Sequence, residues 1–412
     1  MTSVSAVLEA YARLAVRIGV NLQPGQRLAV NAMLVHAPLA RAVAAEAYAA
    51  GASYVDVYYS DPHVRRAHIE AAPSETLGWS PPWRVERLER LGEDRGALLA
   101  IVGDPEPLLF ADLDAQRVSS ARMRQLTETS HRITDGPVNW SIVAYPSEGW
   151  AQTVFGEPDV DRLWEAIAVA TRLDEPDPVA AWHEHLERLG QRSDALNASR
   201  FDAIRYRGPG TDILVGLHPD GRWFSARESS TGGVPFVANM PTEEVFTSPD
   251  ARRADGTVAA TYPLALQGNI IRGLRMRFEG GRAVEVHADE GEEFMRAYVA
   301  SDDGAARLGE LALVDRESRV GRTGIVFYET LFDENATSHI AIGYGFVQAL
   351  PGAEGLSEEE RHARGLNFSS LHTDFMIGSP EVDVWGVAAS GTEVPILSGG
   401  DWVLPLAREK AA

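Results

Sequence analysis

The sequence predicts a chain in two parts: an α/β domain built on a parallel sheet, followed by a β-rich, α+β domain that holds metal. Helical and strand patterns alternate over residues 1–195, which is typical of β-α-β units. From about Phe201 onward, short strands follow one another between glycine and proline turns. The candidate metal ligands all fall in this second part. We therefore place the α/β domain at 1–195 and a metal-binding domain at 196–412.

The first elements form a β-α-β unit. A helix is predicted over 4–18, because apolar residues recur there at helical spacing. Strands at 27–31 and 54–59 flank a second helix at 37–50, which stops at Gly51. Further strands are predicted at 97–103 and 142–145, and further helices at 160–171 and 179–189.

The last of these helices contains His183-Glu184-His185. Residues two apart on a helix do not face each other, so the two imidazoles cannot share a metal ion. We predict that all three side chains lie on a solvated surface.

The second part reads mostly as strands. The glycine turn at 279–282 separates strands at 274–278 and 283–287, a hairpin pattern. A helical interlude is predicted over 292–299 and 305–313. The remaining predicted strands are 204–207, 212–217, 223–225, 324–328, 383–387 and 393–397.

Composition narrows the possible functions. The formal net charge of -21 argues against binding to nucleic acid or to anionic membranes, both of which require basic surface. With no cysteine in the chain, any metal must be held by oxygen and nitrogen ligands. We see no signal-peptide pattern and no apolar run of membrane-spanning length, so we expect a cytoplasmic protein.

Four separate segments carry side chains that bind metals. In an extended strand, residues i and i+2 point to one face, so the His-x-Asp sequence at 372–374 could bind one ion from one side. A lone carboxylate in an apolar run, such as Glu310, is costly to bury unless it is paired or binds a cation. The candidate ligands are Glu244, Glu310, Glu334, His339, His372 and Asp374.

Six such groups exceed the needs of one tetrahedral zinc site. They suit two ions, with a carboxylate such as Glu310 between them. Mixed carboxylate and imidazole ligands are compatible with Zn, Mn, Co or Fe.

The same segments resemble the thermophilic metalloaminopeptidase family, the M29 peptidases. The motifs that carry the resemblance are Asn-Met-Pro-Thr-Glu-Glu-Val-Phe-Thr (239–247), Leu-Gly-Glu-Leu-Ala-Leu-Val (308–314), Asp-Glu-Asn-Ala-x-x-His-x-Ala-x-Gly (333–343) and His-x-Asp-Phe-Met-Ile-Gly (372–378). The resemblance implies an exopeptidase with two divalent ions per chain, of zinc, cobalt or manganese. It also implies peptide substrates with a free N-terminus, ligand roles for the six residues, and a homodimer. On this resemblance the domain at 196–412 would be catalytic, and the domain at 1–195 would shape substrate access and dimer contacts.

One departure from the family pattern concerns a tyrosine. The family commonly continues His-x-Ala-x-Gly-x-x-Tyr and assigns that tyrosine a role in the active site. Here the position is Phe346, which cannot donate a hydrogen bond, and the nearest phenol is Tyr344. On a continued strand the two side chains would share a face, so Tyr344 is our candidate for oxyanion stabilisation.

Glu243 is our candidate for moving the proton from the attacking water to the leaving amine. It adjoins the ligand Glu244. Neighbouring residues on a strand point to opposite faces, however, so a supporting or surface position for Glu243 stays open.

Two other functions remain possible on the sequence. His339, His372 and one carboxylate could hold a single Fe(II) in a ring-opening oxygenase. Alternatively, the chain could be a non-catalytic descendant that binds metal or peptide, which the phenylalanine at 346 would permit.

Overall fold

The computed structural model describes residues 4–406. In the first half of the chain, helices alternate with strands, and a single π-helical turn, Ala15–Gly19, extends the first helix. These elements are α1 (Val4–Leu14), β1 (Arg27–Met33), α2 (Ala37–Ala49), β2 (Tyr54–Ser60), α3 (Pro62–Ala71), α4 (Pro82–Glu93), β3 (Ala97–Val102), α5 (Ala115–Ser120), α6 (Arg124–Thr134), β4 (Asn139–Ala144), α7 (Glu148–Phe155), α8 (Val160–Ala170) and α9 (Pro178–Ser199).

Strands dominate the second half of the chain. Its elements are β5 (Ala203–Gly208), β6 (Thr211–Gly216), β7 (Phe224–Ser225), β8 (Arg227–Ser229), β9 (Pro235–Val237), β10 (Val245–Thr247), β11 (Ala254–Ala259), β12 (Leu264–Leu266), β13 (Asn269–Ile271), β14 (Arg275–Glu279), β15 (Arg282–His287), α10 (Glu292–Val299), β16 (Leu308–Leu313), α11 (Arg319–Arg322), α12 (Thr330–Asp333), β17 (His339–Gly343), α13 (Glu358–Ala363), β18 (His372–Met376), β19 (Asp383–Val387), β20 (Glu393–Ser398) and β21 (Asp401–Trp402).

The N-terminal unit contains residues up to Leu186 together with Ala226–Thr242. Its sheet has the order β2-β1-β3-β4, and all of its neighbouring strands are parallel. Parallel neighbours require crossover connections, and the intervening helices supply them. Helices α4 and α6 cover one face, where Leu88, Leu91 and Ile133 form an apolar core with Ala29 and Leu98 of the sheet.

The second unit comprises Glu187–Ser225 and the chain from Glu243 onward. It contains a five-stranded sheet of order β18-β17-β16-β10-β7 and an eight-stranded sheet of order β15-β14-β11-β6-β5-β19-β20-β21. Neighbouring strands in both sheets are antiparallel. The predicted fold class, a parallel-sheet α/β part followed by a β-rich part, is confirmed.

The helix predicted over 305–313 is wrong, because Leu308–Leu313 forms strand β16. All six of its residues are buried, since β16 is the central strand of the five-stranded sheet. A strand buried on both faces reads as an unbroken apolar run, which periodicity cannot distinguish from a buried helix.

The strand predicted over 324–328 is also wrong. Gly324 and Tyr328 have positive φ angles of 65° and 54°, which an extended strand does not accommodate. The carboxylate of Asp333 accepts hydrogen bonds from the backbone N–H groups of Phe327 (2.7 Å) and Glu329 (3.2 Å). The segment is therefore a loop. Its backbone N–H groups donate to Asp333, whereas those of a strand would donate to a neighbouring strand.

The strand on which Tyr344 and Phe346 would share a face does not extend to them, because β17 ends at Gly343. His185 is a further correction, because its side chain is buried whereas His183 and Glu184 are exposed. Its Nε2 lies 2.7 Å from the carbonyl oxygen of Thr242, and its ring contacts Trp182 edge-on.

The boundary predicted at residue 195 falls inside α9, and both this division and the roles assigned to its two sides stay predictions. Within residues 4–406, no helix has the length and apolar character that a membrane crossing demands.

We predict that Gly309→Ala destabilises the second unit by about 1–3 kcal/mol. The register of β16 against β17 shifts between Leu308 and Glu310, and a Cβ at Gly309 would collide with the carbonyl oxygens of Tyr344 and Gly343. Denaturant unfolding measures the loss. Gly190→Ala, in open space on α9, is the control and should stabilise by up to about 1 kcal/mol. Equal stability of Gly309→Ala and wild type would contradict this packing argument.

Candidate metal centre

One face of the five-stranded sheet collects the predicted ligands. Glu310 of β16 pairs with Ala341 of β17, which in turn pairs with Asp374 of β18, so these three side chains form a row across the sheet. Gly343 pairs with His372 one step along. Because alternate residues of a strand share a face, His339 and His372 lie on the same face as this row.

Small residues leave space on this face. Ala341 lies between Glu310 and Asp374, and Gly343 lies opposite His372. Ala312 pairs with both His339 and Phe246 on its two sides. Side chains of this size do not fill the volume above the sheet, so the acidic and imidazole groups around them can converge.

The ligand atoms approach one another closely. Nε2 of His339 lies 3.0 Å from Oε2 of Glu244 and 4.0 Å from Oδ1 of Asp374. Nε2 of His372 lies 3.0 Å from Oε2 of Glu310 and 3.4 Å from the same Asp374 oxygen.

These atoms form two potential ligand groups, and Glu310 belongs to both. One group is Glu244, Glu310 and His339, and the other is Glu310, His372 and Asp374. Within each group the ligand atoms all lie within 4.8 Å of one another. Glu310 thus occupies the shared position that the sequence predicted for it.

Glu334, the sixth predicted ligand, comes from outside the sheet and belongs to neither ligand group. It follows the last residue of the short helix α12 and is buried. Burial raises the pKa of its carboxyl well above the usual value, and the charges of Asp374 and Glu244 raise it further. The carboxylate is therefore close enough to Asp374 and Glu244 for like-charge repulsion to act.

The same crowding governs the other members. Burial raises the pKa of Glu310 to about 7, the charges of Asp374 and Glu244 add to the shift, and His372 opposes it. Burial alone would lower the pKa of His339, but Glu244 and the other acids outweigh burial and raise it to about 10. Without a cation, the cluster therefore keeps protons that would otherwise be lost at neutral pH.

The residues present fit divalent cations. Oε2 of Glu244 and Oδ1 of Asp374 are buried carboxylate oxygens that make no well-aligned hydrogen bond in the described structure, although Nε2 of His339 and Nε2 of His372 lie 3.0 and 3.4 Å from them. An oxygen buried in that way is costly, and a cation would compensate it. All donors are oxygen or imidazole nitrogen, the set that zinc, cobalt and manganese accept.

Glu243 and Tyr344 are both buried beside the cluster segments. The carboxylate of Glu243 lies 3.8 Å from the guanidinium of Arg188, and its backbone N–H donates to Asn335. The ring of Tyr344 contacts Phe346 and Phe368, and its carbonyl oxygen lies 2.9 Å from Nδ1 of His372. That carbonyl orients the imidazole of His372. The chemical roles predicted for both side chains stay predictions.

Phe346, at the position of the family tyrosine, packs against His372, one of the candidate metal-binding residues. Its ring centroid is 5.1 Å from that of His372 and 5.4 Å from that of Phe246. The phenylalanine therefore forms an apolar wall beside His372, a role that the sequence argument did not foresee.

Sequence reasoning missed two residues that hold the ligand loops. Asn335 is fully buried, accepts a hydrogen bond from the backbone N–H of Glu243 (2.7 Å) and donates to Oε1 of Glu334 (3.3 Å). Asp302 accepts hydrogen bonds from Ser369 and Ser370, immediately before β18. The sequence signal for Asn335 was its place inside the 333–343 motif. Asp302 had no comparable signal, because its partners lie far along the chain.

Comparison with known proteins covers nearly the whole chain. A sequence model of the thermophilic metalloprotease family (M29) matches residues 4–402. Aminopeptidase T of Thermus thermophilus is 42% identical over 404 residues, which represent 96% of this chain and 98% of that protein. Aminopeptidase 2 of Geobacillus stearothermophilus is 40% identical over 407 residues, or 97% and 98% of the two chains.

A solved structure is similar as well. Wild-type AmpT from Thermus thermophilus matches with a TM-score of 0.88 at 40% sequence identity, over 97% of this chain and 100% of that chain. The similarity therefore includes both compact units and all four segments of the cluster.

We predict that Asn335→Ala weakens metal binding by about 10- to 100-fold, because Glu334 and the Glu243 backbone lose their shared anchor. Competition with a chromophoric chelator measures the affinity. Asn197→Ala is the matched control, since Asn197 makes two 2.9 Å hydrogen bonds to the Trp223 backbone, away from the cluster. Equal affinities for the two variants would show that Asn335 does not position the ligands.

We also predict that metal uptake releases protons and tightens as pH rises. His339 keeps its proton up to a pKa of about 10 in the metal-free protein, and a metal needs the neutral imidazole. Calorimetry at pH 7 in buffers of different ionisation enthalpy should show release of about one proton or more per chain. His183→Gln, at an exposed site, should leave this number unchanged. Heats that do not depend on the buffer would contradict the prediction.

Proposed function

Since this chain belongs to the M29 family of thermophilic metalloproteases, and is therefore a peptide hydrolase, we propose that it removes N-terminal residues from peptides with two divalent cations. Membership confirms the resemblance seen in the sequence. The similarity to proteins named aminopeptidase T and aminopeptidase 2 supports removal from the N-terminal end.

The observation that carries the proposal is the position of Glu310 in both ligand groups. A carboxylate shared by two such groups suits a pair of ions, which in two-metal sites lie about 3.5–4 Å apart. The total charge of the carboxylates also supports two ions. The carboxylates of Glu244, Glu310, Glu334 and Asp374 offer four negative charges when ionised, and two divalent cations balance them.

In this proposal Glu244, Glu310 and His339 would hold one ion, and Glu310, His372 and Asp374 would hold the other. Glu334 supplies a further carboxylate beside them. Bound divalent cations supply a water of lowered pKa and polarise the scissile carbonyl.

The protein's own groups would do the rest. Glu243 accepts the proton of the water and passes it to the leaving amine, and Arg188 beside it favours the ionised carboxylate that this task requires. The phenol of Tyr344 is the candidate donor to the developing oxyanion. Phe346 cannot donate, so its contribution is to exclude water around His372.

The ligands of the cluster differ in their exposure to solvent. The side chain of His372 is 23% exposed, whereas those of Glu310, Asp374 and His339 are 6%, 8% and 1% exposed. Substrate would therefore arrive from the side of His372.

Neither alternative function gains support. A single Fe(II) held by two histidines and one carboxylate leaves further buried acids without a role. A non-catalytic descendant receives no support from relatives named as aminopeptidases. The choice among zinc, cobalt and manganese, the homodimer and the cytoplasmic location stay predictions.

We expect Glu310→Gln to bind fewer than two ions per chain and to lose nearly all hydrolysis of a leucyl reporter. An amide cannot supply the charge that a shared position needs. Elemental analysis beside the kinetic assay measures both effects. Glu393→Gln is the control, because Glu393 is an exposed residue of β20 that pairs with Arg207 of β5. Full metal content and activity in Glu310→Gln would sink the two-metal proposal.

Glu243→Gln should separate proton transfer from metal binding. We expect it to keep its ions while kcat falls by about 10²- to 10⁴-fold, the usual share of a general base. Loss of metal in this variant would instead make Glu243 a ligand or a structural support. Unchanged kcat would remove it from the mechanism.

A further inference from the structure

The N-terminal unit contains a polar cavity whose side chains differ in chemistry from the acidic cluster of the second unit. Its volume is about 270 Å³. The side chains that line it are Asn31, Tyr58, Arg84, Arg87, Leu88, Leu126, Thr127, Ser130 and His131. None of these nine is acidic, although the chain as a whole carries a net charge of -21.

The cavity lies over the carboxyl-terminal half of the parallel strands. Asn31 of β1 and Tyr58 of β2 are register partners, so their side chains lie next to each other on one face. In open parallel sheets, ligands bind outside the carboxyl ends of the strands, where the connections change direction. The connections change direction between β1 and β3, because β2 lies on one side of β1 and β3 on the other, and Asn31 belongs to β1.

Helices α4 and α6 meet over this face in two different ways. Toward their C-terminal ends, Leu88, Leu91 and Ile133 close the gap with apolar packing. Beside this apolar packing, the side chains that the two helices turn toward each other are polar, and a cavity remains between them. Arg84 and Arg87 come from α4, and Thr127, Ser130 and His131 come from α6. Arg84 lies in the first turn of α4, where the helix dipole also favours a bound anion.

The two arginines differ in what they bind. Arg87 is neutralised, since its Nε contacts a carboxylate oxygen of Asp56, and its Nη1 donates to the side-chain oxygen of Asn31 (3.0 Å). Arg84 has no carboxylate partner among residues 4–406. Its guanidinium lies 4.6 Å from the ring centre of Tyr58, and its Nη1 lies 3.3 Å from the sulfur of Met123.

Arg84 is therefore a positive charge that the protein positions but does not neutralise. A thioether is a weak acceptor, and an aromatic face holds a cation without satisfying its N–H groups. Most of the donors of Arg84 thus remain available to a ligand. An oxyanion is the partner that a guanidinium fork matches in both charge and geometry.

Further donors surround the same space. The side-chain oxygen of Asn31 accepts from Arg87, and its amide N–H₂ donates to no group in the described chain. The hydroxyls of Ser130 and Tyr58 likewise make no hydrogen bond within it. The hydroxyl of Thr127, by contrast, already donates to the carbonyl of Met123 (3.3 Å) and can only accept. Donors in excess of acceptors are what an anion site requires.

We propose that this cavity binds a small oxyanion, a phosphate or an organic carboxylate, with Arg84 as its principal contact. Asn31, Ser130 and Tyr58 complete the donor set. The volume admits a phosphate or a small carboxylic acid and is below the size typical of drug-like ligands. This site is separate from the acidic cluster of the second unit, and it does not depend on the proposed peptidase mechanism.

Calorimetric titration of the metal-loaded protein with inorganic phosphate, and separately with succinate, tests the proposal. Wild type should show saturable binding that Arg84→Gln weakens by at least about tenfold, the loss of one charge-assisted contact. Anion binding at the metal centre would persist in Arg84→Gln, so only the arginine-dependent part of the heat is assigned to the cavity. Arg84→Lys should retain part of the affinity.

Arg90→Gln is the matched control. Arg90 lies on the same helix, its side chain is exposed, and it pairs only loosely with Glu86 and Glu93, at 3.7 and 3.3 Å. It should bind as wild type does. If Arg84→Gln fails to fold, Ser130→Ala provides a second test, because it removes one donor and no charge.

The two titrations also identify the source of the oxyanion. Arginine-dependent binding of phosphate alone indicates a phosphate ligand, and of succinate alone a carboxylate ligand, and either result supports the proposal. Binding of both anions that is the same in wild type, Arg84→Gln and Ser130→Ala would overturn it. Absence of arginine-dependent heat with either anion would overturn it as well.

Discussion

The cost of gathering acids on one buried sheet face governs the structure of the second unit. Glu244, Glu310 and Asp374 lie together with little access to water, where like charges repel strongly. Two imidazoles interleave with them and relieve part of the repulsion, which is why the pKa of His339 rises to about 10. Balanced by protons when empty, the cluster is suited to exchange those protons for cations.

Holding such a cluster requires a rigid frame. β16 supplies Glu310 from the centre of a five-stranded sheet, where neighbours on both sides fix its register. In the loops of the cluster, side chains supply hydrogen bonds of the kind that neighbouring strands supply within a sheet. Asn335 joins the segment of Glu243 to Glu334, and Asp302 fixes the turn before His372. Burial raises the pKa of Asp333 to about 8, and the hydrogen bonds that it accepts from backbone N–H groups partly oppose that shift. Through these bonds Asp333 anchors the loop at 324–328.

The two units, each considered by itself, place opposite chemistry on their sheets. The antiparallel sheet of the second unit presents acids and imidazoles between small residues. The parallel sheet of the first unit presents Asn31 and Tyr58 below an arginine that lacks a carboxylate partner. A cationic cavity in a strongly acidic chain is not explained by average composition. It reflects how two helices present polar side chains to each other where their apolar packing ends.

The sequence by itself determined the fold class and identified the candidate ligands, because both can be recognised from local patterns. Alternation of helices with apolar strands indicated the parallel sheet, and His-x-Asp spacing indicated one face of β18. Only the tertiary structure decided which atoms meet. The register between strands that are distant in the sequence aligned Glu310 with Asp374. The positive φ angles of Gly324 and Tyr328 made 324–328 a loop. The strand nature of β16, the burial of His185 and the anchors Asn335 and Asp302 depend on contacts between residues far apart in the chain. Periodicity reports only which face of an element is apolar, and so it contains no information about the partner that covers that face.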